Sequence, residues 1–280
     1  MSRVISIGRM GEVGHVGSLP SFDRPPVVEV AVGVHFMPLP GLSMVELVRL
    51  ADSLWRNNYP QTVEQPILPP LTPLTHMAPA FAFQMQAGSP LVRLWSLTED
   101  QGLLIQVQHD RLLLNWRKLA DDDCYPRYRI LREKFAELWG PFNDYVASKD
   151  LGVLQVAAAE VSFFNRIPLV GGVRDIPDFI RALNREWIPE GQVAMAYQIE
   201  RDFSDPRLRG EQSTALNFRP DAGPMQLEIS TRVGVESDRS ELTDVVAALD
   251  VAHDLGVLTF DELTTENAHS MWGRRDADNR

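Results

Sequence analysis

LLIQVQHDRLLLNWR, residues 103 to 117, is the stretch whose reading decides the fold class. Its residues alternate in polarity on either side of His109-Asp110, as two strands joined by a tight turn should. With those two at the tip, Gln108 faces Arg111, Gln106 faces Leu113 and Leu104 faces Asn115. Side chains in a strand point alternately to opposite faces. One face therefore carries Gln106, Gln108, Arg111, Asn115 and Arg117, and the other Leu103, Ile105, Val107, Leu112, Leu114 and Trp116. An apolar face needs a packing partner, and an antiparallel hairpin lets the polar face meet solvent.

The partner for the apolar face follows directly. Asp121 to Asp123 reads as a turn, and Tyr125-Pro126 opens a helix with proline near its first position. Tyr128, Leu131, Phe135, Leu138, Trp139, Phe142 and Tyr145 recur at helical spacing, one long buried stripe. Upstream, Pro25-Pro26 launches the β-branched strand VVEVAVGVHF, closed by Pro38, Pro40 and Gly41. Ser43 is placed to cap a helix from Met44 to Trp55, with Leu47, Leu50, Ala51 and Leu54 inward. The proline-rich run Tyr59 to Pro79 suits neither a central strand nor a helix interior and predicts an extended surface connection. Phe81 to Gln86 and Val92 to Thr98 read as strands leading into the hairpin.

The second part of the chain repeats this order. Gln155 to Ile167 reads as a strand, Ile176 to Trp187 as a helix behind Asp175, and Gln192 to Phe203 as a strand. RDFSDPRLRGE reads as a charged loop, and Thr214 to Phe218 with Met225 to Val235 as a hairpin around Pro220 to Gly223. Glu241 to Trp272 reads as one long helix with Leu242, Val245, Val246, Leu249, Ala252 and Leu263 inward and a kink at Gly256. EVAVGVHFMPL from Glu29 and EVSFFNRIPL from Glu160 stand at an offset of roughly 130 residues, too long for a solenoid repeat. The expected fold is α+β: two similar β-α-β(n)-α halves, 25–150 and 151–273, with a mostly antiparallel sheet and long helices on one face. Residues 1–24 and 274–280 read as flexible tails.

Composition narrows the function classes. A net charge of −11 opposes general nucleic-acid binding, which needs a basic footprint. The single cysteine, Cys124, precludes a disulfide framework, and the acidic run before it opposes a thiolate nucleophile. The apolar runs are too short to cross a bilayer, and no continuous apolar leader opens the chain, so a cytoplasmic protein without membrane attachment is expected. The glycines of residues 8 to 17 lack GxGxxG spacing and the helix a dinucleotide loop requires. No HExxH, GxSxG, P-loop or paired-histidine motif occurs, so no metal and no cofactor are expected.

What remains is the amide-rich hairpin face. Amides offer donors and acceptors together, and arginine adds a rigid fork for an oxyanion. The candidate residues are Gln106, Gln108, Arg111, Asn115 and Arg117, joined by Tyr125, Tyr128 and, from the second half, Asn165. They point to a binding or regulatory protein that engages a protein or small ligand through a sheet face or the cleft between halves. Two alternatives stand beside it: an enzyme pairing Glu29 or Glu160 with Arg117, and a nucleic-acid-associated protein using Arg127, Arg129 and Arg132. Trp95 and Trp272 are not assigned to a face by the pattern.

PPVVEVAVGVHF, RLWSL at Arg93, LIQVQHDRLLLNWRK at Leu104, YPRY at Tyr125, FFNRIP at Phe163 and AHDLGVLTFDELTT also resemble a sporadically distributed, uncharacterised family of prokaryotic proteins of similar length. The resemblance covers most of the chain beyond residue 24. It implies no reaction, because the family has none established. Its scattered distribution would suit an immunity, antitoxin-like or stress-related role in a bacterium.

Overall fold

The computed structural model describes residues 5–7, 13–15, 19–69, 92–188, 193–205, 208–236 and 241–276. In chain order these form β1 (Ile5–Ile7), β2 (Val13–His15), β3 (Ser21–Phe22), β4 (Val27–Phe36), α1 (Met44–Leu54), β5 (Gln61–Pro66), β6 (Val92–Leu97), β7 (Leu103–Gln108), β8 (Arg111–Arg117) and α2 (Tyr128–Ser148). There follow β9 (Val156–Ile167), α3 (Ile176–Phe179), β10 (Met195–Asp205), β11 (Leu208–Phe218), β12 (Met225–Gly234), α4 (Leu242–Leu263), α5 (Glu266–Trp272) and β13 (Arg274–Arg275). Nine strands make one sheet in the order β10-β11-β12-β9-β4-β8-β7-β6-β5. The pairs β5–β6, β6–β7, β7–β8 and β10–β11 are antiparallel. The class is α+β with a large, mostly antiparallel sheet, as the alternation and the amphipathic stripes predicted.

The chain forms two compact units, Ala31–Glu160 with Val233–Leu249, and Met1–Val30 with Val161–Arg232 and Asp250–Arg280. Their boundaries run through β4, β9, β12 and α4, whereas the sequence halves part at residue 150. In the first unit, Ser43 accepts a bond from the Glu46 amide, which fixes where α1 begins. Leu47, Leu50 and Ala51 of that helix are buried, as are Leu131, Phe135, Trp139 and Phe142 of α2. Phe142 stands 5.7 Å from Phe36 and 6.0 Å from Trp139, an aromatic row between helix and sheet. Gly33 on β4 allows the closest approach, because a Cβ there would lie 2.2 Å from the Leu112 carbonyl oxygen.

The second unit packs Ile167, Leu216, Phe218, Leu227 and Ile229 from strands against Ile176, Phe179, Phe260 and Trp272. Several sequence expectations are revised here. The helix from Ile176 ends at Phe179, because Arg181 and Thr265 amides bond Leu263 and Phe179 carbonyls and draw the chain out as a bridge, Ile180 to Thr264. Asp175 accepts from Gly171 and does not cap that helix. The long C-terminal helix breaks at Thr264–Thr265, where Thr265 caps α5, and not at Gly256. Gly256 instead makes room for the Phe163 ring, 2.9 Å from where its Cβ would stand.

RDFSDPRLRGE, read as a loop, lies largely within the β10–β11 ladder, which pairs Phe203 with Gly210 and Asp205 with Leu208. Buried Phe203 and Leu208 alternate with polar neighbours there, a period the charge density masks. The tail segments also change status where they are described. Ser21–Phe22 pairs with Arg275–Arg274, and Phe22 is buried, 5.1 Å edge-on to Phe260. The proline-rich run begins as β5, an edge strand that tolerates Pro66. The strand expected at Phe81 to Gln86 lies outside the described residues.

Candidate ligand-binding site

The hairpin has the expected register, Gln108 opposite Arg111, Gln106 opposite Leu113 and Leu104 opposite Asn115. Its polar face is not an open surface. Gln108 is 0 % exposed, Asn115 2 %, Gln106 5 % and Arg111 6 %. Such groups are tolerated inside only when hydrogen-bonded, and these are. Gln106 Oε1 accepts from Arg93 Nη1 at 2.8 Å and Trp95 Nε1 at 3.0 Å, while its Nε2 donates to Asn115 Oδ1 at 2.8 Å. Gln108 Oε1 accepts from the Leu68 amide at 3.0 Å, and its Nε2 donates to Asp110 Oδ1 at 2.7 Å. Arg111 grips Asp110 through Nε and Nη2 at 2.9 and 3.2 Å and donates to the Pro69 carbonyl. The chain leaving β5 therefore straps this face, and its amides and guanidinium hold the strap.

Burial pushes the Asp110 carboxyl up, but the bonds and charge of Arg111 together with the Gln108 bond and the charge of His109 outweigh it and hold the group below its ordinary range. Burial likewise lowers the neighbouring His109 imidazole. Asn165, the residue drawn from the second half, is buried and donates to the Leu227 carbonyl at 3.1 Å, a bond to the adjoining strand β12. Tyr128 is buried at the start of α2. Tyr125 lays its ring 5.5 Å from that of Trp116, and burial holds its phenol well above the usual range.

Arg117, half-buried, is the hairpin candidate that reaches a cavity. Its guanidinium lies 5.7 Å from the Trp95 ring centroid, with Arg93 at 5.3 Å from the same ring, and Nη2 donates to the Gln101 carbonyl at 2.9 Å. Trp95, unassigned by pattern, is thus an indole in contact with two guanidinium groups. Beside it opens a cavity of about 390 Å³, within the range of small-molecule sites. Leu103, Trp116, Ile130 and Leu131 form its apolar wall, Arg117 and Lys134 bring positive charge, and Asp100 and Asp123 bring negative charge. Gly102, Leu119, Ala120, Cys124 and Pro126 complete it.

Local chemistry builds this cavity. Asp123 Oδ2 accepts from the Leu119 and Ala120 amides at 2.8 and 2.9 Å, closing the turn after β8, and those bonds lower its pKa. Asp100 Oδ1 accepts from Thr98 Oγ1 at 2.6 Å and the Gly102 amide at 3.0 Å, shaping the β6–β7 turn and lowering its pKa too. The N-cap position of α2 is Arg127 at φ 74°, which makes no side-chain capping bond, and no acidic residue lies in the first turn. That end of the helix adds positive potential near the cavity.

Lys134, Asp100 and Ile130 were not singled out from sequence; only their turn and helix contexts were legible. The alternatives find different surroundings. Glu160, partly buried, accepts at 2.6 Å from Nε2 of the buried His35 on the adjacent strand, a pair that the pattern did not flag, while Arg117 serves Gln101 and Trp95. Arg129 pairs with Glu133 along the exposed face of α2. Among the described residues, no cluster of three or more His, Cys, Asp or Glu side chains is placed to hold a metal ion, and no helix is long and apolar enough to cross a membrane. No protein-family model matches the chain, nor does any curated protein or solved structure.

Proposed function

We propose that this is a binding or regulatory protein, cytoplasmic, whose ligand is a small molecule held in the cavity beside Arg117. The observation that carries this reading is the cavity itself: a recess of about 390 Å³ pairing an apolar wall with Arg117 and Lys134. Such a wall with a few convergent polar groups is the usual make-up of a small-ligand site. The buried amide network supports the same reading in a different role, by fixing the strands on which Trp95 and Arg117 sit. The duplication belongs to the proposal as well. From the centre outward the sheet runs β4, β8, β7, β6 on one side and β9, β12, β11, β10 on the other. Each run starts with the first strand of its sequence half and then takes the last three in reverse, as two copies of one unit would. Membership of the prokaryotic family it resembles is part of this reading.

The test is a ligand-detected NMR screen of small molecules against the wild type and against Ala120→Trp, which places a large side chain at the rim of the cavity to obstruct it. Hits that vanish with Ala120→Trp, while its circular dichroism is unchanged, support the cavity as the site. Hits that persist in the obstructed variant overturn it.

A further inference from the structure

Resting on that reading of the cavity, we infer that its ligand class is an amphipathic monocarboxylate, a single oxyanion on an apolar body. The charged side chains at the cavity are unequally committed. Asp100 and Asp123 each have an oxygen occupied twice over by their own turns, Asp100 by Thr98 and Gly102, Asp123 by Leu119 and Ala120. They are structural anions. Lys134 makes no hydrogen bond or ion pair among the described residues, so its ammonium donors are unspent. Among the described residues Arg117 donates one bond, to a carbonyl, and its flat cation rests against Trp95 without a carboxylate partner. The donors left over at this cavity therefore sit on its cations, and a guanidinium with a nearby ammonium suits a carboxylate.

The other half of the ligand follows from the wall. Leu103, Trp116, Ile130 and Leu131 offer no polar side-chain group apart from the indole N–H, so the rest of the molecule is apolar. The number of negative charges is limited by the same two aspartates. Their carboxyls are held below the ordinary range by hydrogen bonds and stay ionised at neutral pH. A second negative charge on the ligand would meet them across the cavity and be repelled. A phosphate-bearing ligand is thus a poorer fit than a carboxylate.

The test uses the full chain and a matched trio of probes sharing one phenylpropyl skeleton: hydrocinnamate, hydrocinnamamide and phenylpropylamine. Affinities are measured by ligand-detected NMR titration on wild type, Lys134→Met and Ala120→Trp, with folding checked by circular dichroism. The inference expects hydrocinnamate to bind about tenfold or more tightly than the amide or the amine. It also expects Lys134→Met to weaken hydrocinnamate severalfold and to leave the amide unchanged. Amide or amine binding as tightly as hydrocinnamate, yet lost in Ala120→Trp, overturns the carboxylate class and leaves the cavity as the site. Binding that survives Ala120→Trp, or no binding by any of the trio at millimolar concentration, overturns the carboxylate inference; of these, only survival in the obstructed variant also removes the cavity.

Discussion

Gln106 shows how much one side chain carries in this protein. Its carbonyl oxygen is a shared acceptor for Arg93 and Trp95, and its amide donates to Asn115. Replacing it by leucine keeps the volume but leaves polar partners facing a hydrocarbon. Losing a buried acceptor costs the desolvation of each donor it served, so Gln106→Leu is expected to lower stability by about 2–4 kcal/mol. The urea midpoint reads that loss, and the Trp95 indole N–H resonance should shift with it. The polarity of this residue was plain from alternation. Its burial was not, because alternation assigns residues to faces without saying what covers a face. Here the cover comes from Leu68, bonded to Gln108 across 40 residues of sequence. The cavity residues were hidden for a related reason: Lys134 reads as one more cation on a solvated helix face, and only the folded chain shows it lining one cavity with Arg117.

At the scale of elements, α1 and α2 are joined by the Tyr145 hydroxyl, which donates to Glu46 Oε1 at 2.6 Å. That bond holds the Glu46 carboxyl below its ordinary value, against the opposing effect of desolvation. Burial, and then the bond to Glu46, push the Tyr145 phenol up to about 12. The signs of the two linkages are opposite. A lowered carboxyl contributes stability above its unfolded pKa, and loses it as pH falls through the folded value. A raised phenol contributes stability below its unfolded pKa near 10, and loses it as pH climbs toward 12. Tyr145→Phe should cost about 1–2 kcal/mol at neutral pH. It should also flatten both the acid and the alkaline limb of a plot of unfolding free energy against pH. Elements with a strong stripe, such as α2, were legible from spacing alone. The helix after Ile176 was not, because its end is set by backbone bonds to Leu263 and Thr265, contacts that leave no periodic trace.

For the whole molecule, the part least legible in the sequence is the treatment of the chain ends. Short, glycine-bearing and charged stretches read as tails. Phe22 is nevertheless buried among Phe260, His269 and Trp272, with ring centroids 5.1, 5.7 and 6.5 Å away. Arg275 reaches Asp23, and Arg274 reaches Asp261 through two nitrogens. Phe22→Ala empties an aromatic site and is expected to cost about 3–4 kcal/mol. It should also speed tryptic cleavage at Arg274 and Arg275 in the β13 strand that pairs with Phe22, which limited proteolysis with mass spectrometry would resolve. The strand order, by contrast, could be anticipated only as a class. Alternation establishes strands and hairpins, but not which of them meet across a sheet.

The pairing of β3 with β13 has one more consequence. Ser21 and Arg275 are cross-strand neighbours, so the path of the chain between these two residues nearly closes on itself as a ring. A short flexible linker could seal that ring, and the polar Asp221–Gly223 turn offers a place to reopen it. The span from Ser21 to Arg275 is thus a natural subject for circular permutation, with new ends chosen by the experimenter and the same sheet assembled in a different temporal order.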